Sequence, residues 1–198
     1  EARFKLRTKQ MGLNGPQVPV LCFGTWPLGG AYGTVDESRA IATMHACMDA
    51  GLTFIDTAEG YNNAEEIIGK SIKGRRHNLF IATKVSGLDH SSSHINKALN
   101  ESLIKMGTDY IDLYQLHSAS DRPIQDTMED LLKYRDEGKI RYIGISNFSA
   151  EQIAEVSKAG PINSGQPRYS MLFREAEDDL LPAYQNNGIG VMAHSVLA

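Results

Sequence analysis

The chain has 198 residues, of which 41% are hydrophobic, 22% charged and 8% aromatic, which fits a globular domain and excludes a disordered, collagen-like or membrane-embedded chain. A net charge of -4, from 20 Lys and Arg against 24 Asp and Glu, leaves no basic footprint for nucleic acid or acidic lipid. There is no apolar run of about 18 residues, and Glu1-Ala2-Arg3-Phe4-Lys5 carries no apolar signal core, so the expectation is one cytoplasmic domain over 1–198.

Along the chain, Phe4 to Leu6 and Val18 to Val20 flank Asn14-Gly15, the signature of a β-hairpin. Seven short apolar or β-branched runs follow: Val20 to Phe23, Thr53 to Ile55, Leu79 to Ala82, Tyr110 to Leu116, Tyr142 to Ile145, Ile162 to Gly165 and Gly190 to Ala193. Between them lie segments of helical period at Asp36 to Asp49, Ala64 to Ile72, Ser91 to Met106, Ile124 to Glu137, Ser149 to Lys158 and Glu177 to Asn187. Successive runs are 22 to 33 residues apart, the size of a βα unit. Ser149-x-x-Gln152 and Ser93-x-x-Asn96 read as helix openings, and Gly51, Gly138, Gly160 and Gly188 as left-handed helix stops.

Periodicity alone leaves an open doubly wound sheet and a closed barrel both available. Gly29-Gly30-Ala31-Tyr32-Gly33 is not the G-x-G-x-x-G fingerprint of a dinucleotide-binding open sheet. In a barrel the polar residues gather where the strands end, and they do so here: Asp56 to Tyr61 after the second run, Lys84 after the third, His117 after the fourth, and Ser146 with Asn147 after the fifth. Each has a bland reading as a helix cap, a mouth-filling ring or a solvated charge. Together, at one end of four successive strands, they point to proton transfer.

The motifs Phe54-Ile55-Asp56-Thr57-Ala58-Glu59-Gly60-Tyr61, Glu65-Glu66-Ile67-Ile68-Gly69, Ile81-Ala82-Thr83-Lys84, Asp109 to His117 and Gly138 to Phe148 occur in the order found in aldo-keto reductases. Gly24-Thr25-Trp26 before them and Gln166 with Tyr169 after them fit as well, and the chain resembles that family over nearly its whole length. The resemblance implies a (β/α)₈ TIM barrel that binds NADPH, with NAD as the alternative, and reduces the carbonyl of a small aldehyde or ketone. It places a catalytic tetrad on Asp56, Tyr61, Lys84 and His117. Tyr61 would protonate the carbonyl oxygen, Lys84 would lower the phenol's pKa, Asp56 would hold the ammonium, and His117 would orient the substrate.

The resemblance also implies cofactor contacts from Gly24, Thr25, Trp26, Asp56, Ser146, Asn147 and Gln166, with His194, Ser195 and Leu197 in the segment where a stacking aromatic and the pyrophosphate neighbours are found. His194 stands where tyrosine is usual, Asn62 where glycine is common, and Ser118 where tryptophan is frequent. Seven strands are visible before Ala198, so the expected barrel lacks its eighth βα unit. That gap leaves two strand edges open, which makes a homo-oligomer an option, and the alternative to an active enzyme is a catalytically impaired or regulatory relative acting through cofactor sensing or partner contact.

His90-x-x-x-His94 has the spacing of two metal ligands on a helix, but no third ligand accompanies it and no metal is expected. Two cysteines, Cys22 and Cys47, read as small packed hydrophobes, and Lys70, Lys73, Arg75 and Arg76 as a solvated basic face.

Overall fold

Among the described residues, seven strands form one parallel sheet in which every strand's neighbour in space is its neighbour in the chain. The computed structural model describes residues 6–197. Strands β1 (Thr8–Gln10) and β2 (Gln17–Pro19) form a separate antiparallel hairpin, with Thr8 opposite Pro19. The sheet then runs β3 (Phe23–Gly24), β4 (Phe54–Asp56), β5 (Phe80–Val85), β6 (Ile111–Leu116), β7 (Ile140–Ser146), β8 (Ser164–Gln166) and β9 (Gly190–Val191). A doubly wound sheet reverses strand order at a switch point, whereas this one keeps chain order, so it curls as a barrel wall. Helices α1 (Glu37–Asp49), α2 (Ala64–Ser71), α3 (Ser92–Met106), α4 (Ile124–Asp136), α5 (Ala150–Ala159) and α6 (Leu180–Asn186) separate the strands and cover the outer face.

Period-two alternation divides each strand between two cores. Ile55, Ile81, Val85, Tyr114, Leu116, Ile143 and Ile145 face the helices, where they meet Met44, Ile68, Leu99, Leu131 and Ile153. Phe54, Ala82 and Leu113 face inward and pack with Met11, Val18 and Met192. The hairpin thus closes the floor of the barrel, and the amide of Leu13 donates to Gly188 O at 2.8 Å to tie it to the approach to β9. Above that floor the inward positions turn polar: Asp56, Lys84, Gln115, Ser146 and Gln166.

The structure corrects several local expectations. The first hairpin arm is Thr8–Gln10 rather than Phe4 to Leu6; Phe4 and Lys5 lie outside the described residues, and Leu6 is not in a strand. Val20 and Leu21 are exposed at 40% and 52%, and only Phe23 and Gly24 pair with β4, because the hairpin holds the chain away from the sheet until then. The cap of α3 is Ser91, whose Oγ accepts the His94 amide, not Ser93. Gly51, Gly138 and Gly188 have positive φ as expected, but Gly160 is extended at φ 175°, with its amide on Val156 O. The last helical segment breaks into a 3₁₀ turn, Glu175–Glu177, followed by α6. The Ser149 and Gln152 capping box of α5 is present in full.

Arg76 is not on a solvated face. Its guanidinium meets the carboxylate of Asp112, buried in β6, at 2.8 Å, and donates to Leu79 O and Tyr110 O. Arg141 reaches the other Asp112 oxygen at 3.0 Å, and the Tyr110 ring lies between the two guanidinium groups at 3.9 and 3.8 Å. The neighbours Lys70 and Arg75 do remain outside, paired with Glu37 and Asp49.

Candidate active site

The site begins with a charge that the fold has buried. Lys84 points inward from β5 and is fully enclosed; its Nζ donates to Asp56 Oδ2 and to Thr57 O, both at 2.7 Å. An ammonium taken out of water this completely is stable only where a carboxylate and further acceptors replace its hydration. Asp56 Oδ1, the oxygen that Lys84 leaves, accepts from Gln115 Nε2 and Gln166 Nε2, each at 3.1 Å. Three strands therefore satisfy one carboxylate.

Tyr61 and His117 stand beside this pair. The Lys84 Nζ is 5.1 Å from the centre of the Tyr61 ring, and the Tyr61 and His117 rings meet edge to face at 5.7 Å. Tyr61 is fixed from below by a close backbone approach: a side chain on Gly29 would lie 2.3 Å from Tyr61 O, and Asn62, with φ 48°, donates through Nδ2 to Gly29 O at 2.6 Å. The asparagine thus takes the left-handed conformation expected of it. The glycine-rich segment after β3 serves this contact.

The electrostatics depart from expectation at Tyr61. Lys84 does pull the phenol's pKa down, but burial outweighs it, and with Asp56 opposing Lys84 the net shift is upward from 10. His117 is pushed down to about 4, first by burial and then by the Lys84 charge, with Asp56 acting the other way. Around neutral pH the site therefore holds a protonated phenol and a neutral imidazole. Cys22, on the pocket wall, has its thiol pushed up by burial and by Asp56, so it stays protonated and behaves as a small apolar filler.

Asp56, Tyr61, His117 and Cys22 line a cavity of about 510 Å³ at the carboxyl ends of the strands, rimmed by Trp26, Tyr32 and Val196, with Lys84 enclosed behind its wall. Gly24, Thr25, Ser146, Asn147, Gln166, His194 and Ser195 line it too. Thr25 is fully buried and is held by its Oγ on Asp56 O at 3.0 Å. Ser146 Oγ donates to Gln166 O at 2.9 Å, and Asn147 Nδ2 donates to His117 O at 2.9 Å. His194 has Nδ1 at 3.0 Å from Ser195 Oγ, a buried Nε2 without a hydrogen-bond partner among the described residues, and a pKa lowered chiefly by burial. Leu197 is 95% exposed and is not among the lining residues, and Tyr169 is turned away, with its hydroxyl on Glu177.

The sequence reading missed Gln115 and Ser86. Gln115 lies two residues before His117 on a strand, so alternation already put it on the inner face. Ser86 follows β5 and brings its Oγ to 2.9 Å from His117 Nδ1. The pair His90 and His94 does not share a helix face, because His90 precedes α3, while His94 Nε2 faces Glu59 at 3.4 Å.

The family model described as "Aldo/keto reductase family" matches residues 20–198. The chain belongs to this family of oxidoreductases. It is 40% identical over 189 residues to aldo-keto reductase YhdN of Bacillus subtilis, covering 88% of this chain and 57% of that protein. It is 35% identical over 216 residues to a probable voltage-gated potassium channel subunit beta of Arabidopsis thaliana, covering 98% and 64%. The crystal structure of an aldo/keto reductase from Klebsiella pneumoniae in complex with NADP and acetate superposes with a TM-score of 0.87 at 34% identity, covering 96% of this chain and 68% of that one. The chain thus spans about three fifths of the length of these two curated relatives.

Proposed function

We propose that this aldo/keto reductase reduces the carbonyl of a small aldehyde or ketone with a nicotinamide dinucleotide, NADPH before NADH. The observation that carries the reading is the fully enclosed Lys84 ammonium, paired with Asp56 and set beside a protonated phenol and a neutral imidazole in one open cavity. The donor set suits the nicotinamide end of the cofactor. Gln166 Nε2 and Asn147 Nδ2 are engaged within the protein, which leaves Gln166 Oε1 and Asn147 Oδ1 on the cavity wall as acceptors for a carboxamide N–H, with Ser146 between them. His194, its Nε2 without a partner among the described residues, flanks that position, and Ser195 and Leu197 continue the segment toward the pyrophosphate. The NADP bound to the Klebsiella relative supports the phosphorylated form.

When bound, the reduced nicotinamide supplies the hydride. His117 holds the carbonyl oxygen by a hydrogen bond, and Tyr61 gives that oxygen its proton as carbon–oxygen charge develops. Lys84 stabilises the phenolate this leaves behind, and Asp56 holds the Lys84 ammonium in place through their 2.7 Å ion pair. Raising the phenol's pKa makes Tyr61 hold its proton more firmly in the resting site, so the Lys84 charge matters most in the transition state.

Tyr61→Phe should abolish carbonyl reduction while leaving dinucleotide affinity within a few-fold, and Lys84→Met should behave likewise. Loss of NADPH absorbance with a simple aldehyde, paired with a cofactor titration, measures both. A phenylalanine variant with more than about a tenth of the parent kcat would overturn the assignment, because a positioned acid contributes about 10²-fold or more. Cofactor binding without turnover in the parent would favour the regulatory reading, the direction suggested by the potassium-channel relative.

A further inference from the structure

Ser86 is half-buried at the end of β5, and its hydroxyl has two neighbours among the described residues. The Gly60 amide donates to Oγ at 3.3 Å, and His117 Nδ1 lies 2.9 Å away. A hydroxyl carries one hydrogen and accepts through its lone pairs. With the Gly60 amide supplying its own hydrogen, Nδ1 is the acceptor within reach for the hydrogen of Ser86. The serine cannot drift from this position, because Glu59 accepts the Ser86 backbone amide and Gly60 packs so close that a Cβ there would sit 2.9 Å from Oγ. The other imidazole nitrogen, Nε2, makes no hydrogen bond to the described residues, and His117 lines the cavity.

We propose that Ser86 is a positioning residue that donates its hydroxyl hydrogen to His117 Nδ1 and so fixes the imidazole as the Nε2–H tautomer, with its N–H available to a carbonyl oxygen in the cavity. This deepens the reading of His117 as the group that orients the substrate, and its functional consequence rests on that reading. The main chain of His117 is already tied by its amide on Val85 O and by Asn147 Nδ2 on its carbonyl. What those contacts leave undetermined is which ring nitrogen carries the proton, and the Ser86 hydroxyl decides it.

The test is long-range ¹H–¹⁵N NMR on ¹⁵N-histidine-labelled protein at neutral pH, with His117 assigned through His117→Asn. The expected parent spectrum has a protonated Nε2 and an unprotonated Nδ1. Ser86→Ala should let the Nδ1–H tautomer appear, and Ser86→Thr, which keeps a hydroxyl, should restore the parent pattern. Gly60→Ala, which displaces the hydroxyl without removing it, should act like Ser86→Ala and stands in if that variant does not fold. In turnover assays Ser86→Ala should lower kcat about fivefold, the worth of one neutral hydrogen bond, with cofactor affinity unchanged. An Nδ1–H tautomer in the parent, or a parent-like spectrum in folded Ser86→Ala and Gly60→Ala, overturns the proposal. A serine-dependent tautomer in a protein whose Tyr61→Phe variant still turns over would leave this inference standing while sinking the functional one.

Discussion

Gln115 Nε2 lies 3.1 Å from Asp56 Oδ1, the carboxylate oxygen that Lys84 does not take. The glutamine is fully buried, and its contribution is to keep the Asp56 carboxylate oriented with Oδ2 toward the ammonium. Gln115→Leu, nearly matched in size, should leave the sheet folded and remove one of the two amide donors to Oδ1. A hydrogen bond to a charged group contributes about 1.5–3 kcal/mol, so kcat for carbonyl reduction should fall by about ten- to a hundredfold. Steady-state kinetics checks this, and a rate within twofold of the parent would mean that Gln166 alone suffices.

His117 should titrate with a midpoint near 4 in the folded protein. A folded-state pKa below the ordinary 6.5 means that the unfolded chain binds the proton more readily, so stability falls as pH drops from about 6.5 toward about 4 and is unaffected by this group above that window. NMR titration of the His117 ring gives the midpoint. Denaturation curves for the parent and His117→Asn give the linkage: the asparagine variant should lose less stability across the same window. A midpoint near 6.5 would contradict the burial and Lys84 effects.

Gly144 faces inward on β7, and a side chain there would lie 2.5 Å from Ser164 Oγ and 2.9 Å from Gln115 Cγ. Gly144→Val should therefore displace Gln115 from Asp56 as well as strain the wall, lowering stability by about 1–3 kcal/mol and activity more than stability alone explains. Urea unfolding combined with kinetics under folded conditions separates the two effects.

Asp112→Ala should destabilise the fold by about 3–5 kcal/mol, because it strips the partially buried Arg76 of its carboxylate and the Ile81 amide of its acceptor. This cluster lies at the amino ends of the strands, away from the cavity. Cofactor affinity measured well below the melting temperature should stay close to that of the parent.

Much of the architecture is readable in the sequence because the signals are local. Spacing of the apolar runs locates the βα units, the Ser149 and Gln152 box marks the start of α5, and strand-end polar residues mark the mouth. What escapes the sequence depends on which side chains meet across the barrel. Gln115 looks like any strand polar residue until the curl brings it to Asp56, and Ser86 looks like a loop serine until β6 sets His117 beside it. Arg76 reads as surface charge because it stands in a turn and its partner Asp112 is 36 positions away, on β6. The pKa of Tyr61 fails for the same reason: the Lys84 cation is visible in sequence, and the burial that outweighs it is not.

The hydrogen bond from Gln166 to Asp56 joins positions 110 residues apart, with most of the sheet between them. Forming such a contact closes a long loop of chain, an entropic cost met only once the intervening βα units are in place. The Asp56 carboxylate therefore reaches its full set of donors late in folding, and no fragment that ends before β8 holds it in this way. In refolding experiments, recovery of the site's chemistry should lag behind the return of helical signal, so that the site serves as a clock for completion of the sheet.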